Sequence, residues 1–71
     1  MEQLKKIRKE NKYTATHMAQ MLNISKPFYW QIENGYRRLS YEMAVRIADI
    51  FNMKPDDIFY EEFSKNVKKQ S

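Results

Sequence analysis

The chain has 71 residues, with 13 Lys or Arg, 9 Asp or Glu, a net charge of +4 and no cysteine. That length suits one small domain, and the missing cysteine removes disulfides, zinc–thiolate sites and thiol nucleophiles. No apolar run approaches a membrane span and the amino end lacks the apolar core of a signal peptide, so a soluble, cytoplasmic protein with no membrane partner is expected.

One Gly and two Pro punctuate the chain, and apolar residues recur at spacings of three and four, the period of helices. Helix 1 is predicted over about 2–11, with Leu4, Ile7 and the stem of Arg8 on one side and Lys5, Lys6, Lys9 and Lys12 free to face solvent. Thr14 is placed to cap helix 2, about 14–21, whose inward residues are Met18, Ala19 and Leu22. Asn23 can end it, because Asn tolerates the left-handed conformation. Ser25 then caps helix 3, about 26–33, and Pro27 in the first turn removes an amide that had no partner. Ser40 caps helix 4, about 41–51, with Ala44, Ile47, Ala48 and Phe51 on one stripe. Asn52 repeats the role of Asn23. Pro55 opens helix 5, where Asp56 and Asp57 complement the positive amino end. The expectation is an all-α, five-helix domain over 1–63, followed by a basic, frayed tail over 64–71.

Helix 2, a short turn and helix 3 make a helix-turn-helix. Ala19 is small where the two helices must approach, and Asn23 permits the abrupt turn. The run TATHMAQMLNISKPFYWQIENGYRRLS resembles the Cro and phage-repressor helix-turn-helix family of bacterial DNA-binding proteins. The matching features are Thr14, Met18 followed by Ala19, the turn at Asn23-Ile24, Ser25 and above all Gln31-Ile32-Glu33-Asn34-Gly35, with Arg8 in helix 1 and AVRIADIFNMKPDDIF later in the chain. The resemblance covers about residues 1–59. It implies the compact five-helix, lambda-repressor-like fold, and an ion pair between Arg8 and Glu33 that ties helix 1 to helix 3. Two positions depart from the pattern: Ala15 stands where members usually carry Gln, and Leu39 where many carry Pro.

Three aromatic rings stand in a row in helix 3, at Phe28, Tyr29 and Trp30. Successive helical residues are about 100° apart, so one face cannot bury all three. On a helical wheel Tyr29, Ile32 and Glu33 form an inward face. Pro27 and Gln31 centre the opposite face, flanked by Trp30 and Phe28. The second helix of a helix-turn-helix lies in the DNA major groove with its amino-terminal residues at base edges. Lys26, Pro27, Trp30 and Gln31 are therefore the candidate readers, with Phe28 divided between DNA and burial against helix 4 or the 36–40 loop. Gln31 can bridge adenine N6 and N7, and Lys26 can reach guanine acceptors or a phosphate. The remaining residues offer apolar contact, so the expected site is richer in A·T. For Trp30 the competing arrangement is a ring packed on helix 2 over His17.

Phosphate contacts are expected from Thr14, Ala15 and His17 at the start of helix 2, where backbone amides can hold an anion. The resemblance assigns the same work to the loop after helix 3, where Asn34, Tyr36, Arg37 and Arg38 carry suitable donors. Charge agrees with a polyanionic partner: residues 1–46 hold nine Lys or Arg against four acids, whereas residues 47–63 hold one Lys against five acids.

An enzyme is the reading to exclude. His17 is the single His, the acid pairs 56–57 and 61–62 are adjacent and so do not share a helix face, and Ser25 and Ser40 are caps. No cofactor and no metal are called for. Phe59, Tyr60 and Phe63 form more aromatic surface than a fifth helix needs, and Phe59, Phe63 and Val67 share a stripe. Either the stripe completes the monomer core or it forms a two-fold contact; the dimer role is the one expected, with Ile58, Phe59, Tyr60 and Phe63 as the homodimer contact. The sequence thus reads as a DNA-binding transcriptional regulator in a bacterial or phage-infected cell, a dimeric repressor on an inverted repeat. The alternative is a protein-interaction module, such as an antitoxin that binds a toxin and represses its own operon, and a regulatory protein partner fits either reading.

Overall fold

A computed structural model describes the backbone of residues 1–70 and the side chains of residues 1–64. Five helices follow one another: α1 (Glu2–Glu10), α2 (Ala15–Leu22), α3 (Lys26–Glu33), α4 (Tyr41–Ile50) and α5 (Pro55–Gln70). No strand occurs among the described residues.

The starts follow from capping. Thr14 accepts from the His17 amide, Ser25 from Phe28 and Ser40 from Met43, each satisfying an amide that has no partner inside its helix. At the start of α5 a carboxylate oxygen of Asp57 accepts from the Lys54 amide at 3.1 Å.

The first four helices end alike. In each, a residue with positive φ follows the helix, at Lys12 (61°), Asn23 (57°), Gly35 (79°) and Asn52 (57°). Its amide and the next one turn back to carbonyls of the last turn, as in Ile24 to Ala19 and Tyr36 to Gln31. This is the Schellman pattern, which satisfies carbonyls that the helix leaves open. Gly35 adopts this conformation without a Cβ penalty.

The core takes Leu4 and Ile7 from α1, Met18, Ala19 and Leu22 from α2, Tyr29 and Ile32 from α3, Ala44, Ile47 and Ala48 from α4, and Ile58 and Phe59 from α5. Each large side chain so buried contributes roughly 1.5–3 kcal/mol of transfer free energy. α2 packs on α3 and α4, and α5 packs on α1 and α4. A guanidinium nitrogen of Arg46 donates to the Leu22 carbonyl, pinning α4 to the end of α2.

The expected dimer contact needs correction on two residues. Ile58 and Phe59 are 5% and 0% exposed, because α5 turns this stripe onto α1 and α4 to complete the monomer core. Tyr60 is exposed, and Phe63 is half-buried between the rings of Phe59 and Tyr41. α5 continues as helix through Gln70, across most of the span expected to fray, while the side chains of 65–70, Val67 among them, and Ser71 lie outside the described residues.

Candidate nucleic-acid interface

α3 is held from two sides by two arginines. On the inner side, Arg8 of α1 donates through Nε to both Glu33 carboxylate oxygens at 3.1 Å and through Nη2 to Oε1 at 2.9 Å. Its Nη1 donates to the Tyr13 carbonyl at 2.9 Å, so the same guanidinium also fixes the connection from α1 to α2. The pair is nearly sealed, with side-chain exposures of 14% and 3%. Hydrogen bonding to Glu33 raises the Arg8 pKa above its ordinary value against the opposing effect of burial. Beside the pair, the Tyr29 hydroxyl is buried with no hydrogen-bond partner among the described residues. Burial, and then the charge of Glu33, push its pKa up.

On the outer side, Lys26, Pro27 and Trp30 are exposed, and Phe28 and Gln31 are half-buried. The Schellman turn at Gly35 folds the following loop back across this face. Tyr36 stacks on Trp30, with ring centroids 5.4 Å apart and planes 7° from parallel. Arg37 lies over the Phe28 ring at 4.3 Å and donates from Nε to Gln31 Oε1 at 3.1 Å. The two rings that flank the face therefore serve as seats for loop side chains. Trp30 does not sit over His17, because its partner is Tyr36; His17 instead meets Tyr13 edge-on at 4.9 Å.

The expected phosphate-binding residues are placed as follows. Thr14 Oγ1 is occupied as the α2 cap, Ala15 is half-buried at the first helical position, and His17 is exposed. Asn34 donates to the Trp30 carbonyl at 2.9 Å, which leaves one amide N–H for another acceptor. Arg38 is exposed, and the side chains of Tyr36 and Arg37 reach solvent beside it. A recess of about 190 Å³ lies between α1, the start of α2 and the end of α3, bordered by Lys5, Lys9, Ala15, Trp30, Asn34 and the Arg8–Glu33 pair. It brings two helix-1 lysines beside the α2 start. The sequence placed the helix 1 lysines as solvent-facing contributors of positive field, and the i, i+4 spacing of Lys5 and Lys9 sets them on one side.

No group of three or more His, Asp or Glu among the described residues is arranged to hold a metal ion. Among the described residues, no helix is long and apolar enough to cross a membrane.

Comparison with known proteins gives this geometry a context. A family model described as helix-turn-helix matches residues 4–58. The HTH-type transcriptional regulator AnsR of Bacillus subtilis is 31% identical over 71 residues, which is 100% of this chain and 61% of the relative. An uncharacterized HTH-type transcriptional regulator of the same organism, YqaE, is 35% identical over 66 residues, covering 93% of this chain and 57% of its own. A putative HTH-type transcriptional regulatory protein of Pyrococcus furiosus is 33% identical over 67 residues, 90% of this chain but 21% of its own. The chain thus spans less than two thirds of each of these relatives. No solved structure matches it.

Proposed function

The chain belongs to the helix-turn-helix family, whose model covers residues 4–58, and on that premise we propose that it is a sequence-specific DNA-binding transcriptional regulator of the cytoplasm. The observation that carries the reading is the outer face of α3, where Lys26, Pro27 and Trp30 stand exposed beside the basic loop of Arg37 and Arg38. Names of relatives that call them transcriptional regulators point the same way.

In this reading α3 enters the major groove. The start of α2, with Thr14, Ala15 and His17, and the loop residues Asn34, Tyr36 and Arg38 meet phosphates on either side. Such contacts set register and orientation, and base edges supply the sequence. Lys5 and Lys9 add positive field at the α2 start.

The protein acts as a repressor, binding as a dimer on an inverted repeat, because two recognition helices one helical turn apart read two half-sites about 34 Å apart. Tyr60 and Phe63 of α5 supply the contact, joined by Tyr41, which is 68% exposed and whose ring centroid lies 6.3 Å from that of Phe63. The same exposed tyrosines favour a second reading, in which this surface takes a protein partner such as a toxin.

Selection from a random-sequence duplex library with purified protein tests the proposal. Enrichment of an inverted repeat is expected. No enrichment at moderate salt would overturn sequence-specific regulation in favour of the interaction module.

A further inference from the structure

Gln31 and Arg37 both lie on the face that the proposed function turns toward DNA, and they are joined by one hydrogen bond. Arg37 has donors only, so the atom of Gln31 that faces it must be the amide oxygen. Arg37 spends Nε on that oxygen at 3.1 Å, and its guanidinium rests 4.3 Å above the Phe28 ring. Its two terminal nitrogens make no other hydrogen bond among the described residues. Gln31 Nε2 is likewise uncommitted.

We propose that Gln31 and Arg37 act as one donor-only reading unit, which makes Arg37 a specificity-determining residue and selects guanine rather than adenine in the half-site. This rests on the reading of α3 as the DNA-facing helix. Free glutamine bridges adenine by accepting from N6–H and donating to N7, and the acceptance requires its oxygen. Here that oxygen is taken. Its second lone pair lies beside a guanidinium cation, which disfavours approach of another donor. What the unit presents is the Gln31 Nε2 donor and the Arg37 terminal fork. Acceptors in the major groove meet those donors, and guanine, with O6 and N7 together, offers the pair that matches an arginine fork. The A·T-rich site expected from the sequence treats Gln31 as free, and the loop that folds back over α3 removes that freedom.

The seat strengthens the assignment. A phosphate clamp gains from a long, unencumbered side chain, whereas a base reader gains from being held in place before binding. Phe28 and Gln31 restrain Arg37 at two points, on the ring and at Nε. Arg38, the next residue, is exposed with no hydrogen bond or ion pair among the described residues, and suits the clamp.

Random-sequence selection followed by affinity measurement on the enriched duplex separates the possibilities. The wild-type protein is expected to enrich guanine at the position this unit reads. Arg37→Ala should move that preference toward adenine by about tenfold or more, because the Gln31 oxygen is released. In a Gln31→Ala background the same Arg37→Ala change should produce no gain for adenine, a coupling that a double-mutant cycle reads directly. Both side chains are surface groups outside the core, so these variants keep the fold, and far-ultraviolet circular dichroism checks it. An Arg37→Ala protein that loses affinity evenly on all duplexes and keeps the wild-type base preference would overturn the inference while leaving the regulator intact. A wild-type protein that enriches no sequence would overturn the regulator and this inference together.

Discussion

The two faces of α3 are each held by an arginine, and the two contacts have opposite physical character. Inside, Arg8 meets a carboxylate through three short contacts in a nearly sealed site. Outside, Arg37 makes one hydrogen bond to a neutral amide and lies on a ring in solvent. The inner contact fixes where the helix sits relative to α1. The outer contact fixes what the helix presents. A short helix of eight residues can thus be both rigidly mounted and finely aimed, because the two tasks fall on opposite sides.

The sharpest way to break this division is to remove Glu33. Glu33→Ala strands the Arg8 charge in a site it cannot easily leave, and should cost about 3–5 kcal/mol of folding stability. Urea unfolding of the purified variant measures it. Removing Arg8 as well should recover part of the loss, since two absent charges cost less than one unpaired charge. A loss below about 1 kcal/mol, typical of exposed ion pairs, would show that the inner face is not the mount.

The matching change on the outer face is Gln31→Ala. It should leave stability within about 0.5 kcal/mol of wild type. It should cost about 1–3 kcal/mol on the preferred duplex and relax specificity at one or two base pairs. Competition with random DNA is the measurement. Equal loss on preferred and random duplexes would remove Gln31 from the reading role. A large drop in stability would mean that the two faces are not separable.

The same asymmetry explains what could be read in advance. The inner face was legible because burial leaves a periodic trace: Tyr29, Ile32 and Glu33 share a helical side, and the pairing of Glu33 with Arg8 came with the family pattern. Caps at Thr14, Ser25 and Ser40 and the left-handed Asn23 and Asn52 were legible because few residue types suit those places. Lys12 was not, since the neighbouring Asn11 is the residue one would choose for positive φ. Asn11 instead donates from Nδ2 to the Ile7 carbonyl and stays at φ −89°. On the outer face, no period tells that Tyr36 stacks on Trp30 or that Arg37 reaches Gln31. Those contacts depend on the path of the loop after Gly35. The stripe in α5 had a related ambiguity: Phe59 and Phe63 lie one turn apart, a spacing that suits a core and a dimer equally, and only the packing of α1 and α4 decides that Phe59 is core.

The smallest expected effect lies at the inner face and tests how tightly that mount is built. The Tyr29 hydroxyl is buried beside the Arg8–Glu33 pair without a hydrogen bond, and an unsatisfied buried polar group is destabilising. Tyr29→Phe removes that group and keeps the ring that fills the core, so stability at neutral pH should rise by about 1 kcal/mol. The pH dependence gives an independent check. Burial first, and then the charge of Glu33, raise the Tyr29 pKa above its ordinary 10.0. The unfolded chain releases this proton near its ordinary value while the folded protein retains it. The contribution of Tyr29 to stability is therefore complete below about pH 10 and lost as pH rises above it. Tyr29→Phe should lack that loss, so the advantage of the variant should grow between neutral pH and about pH 11 in urea unfolding. A variant less stable than wild type at neutral pH would mean that the hydroxyl is bonded within the ion pair, and that the inner mount comprises three residues rather than two.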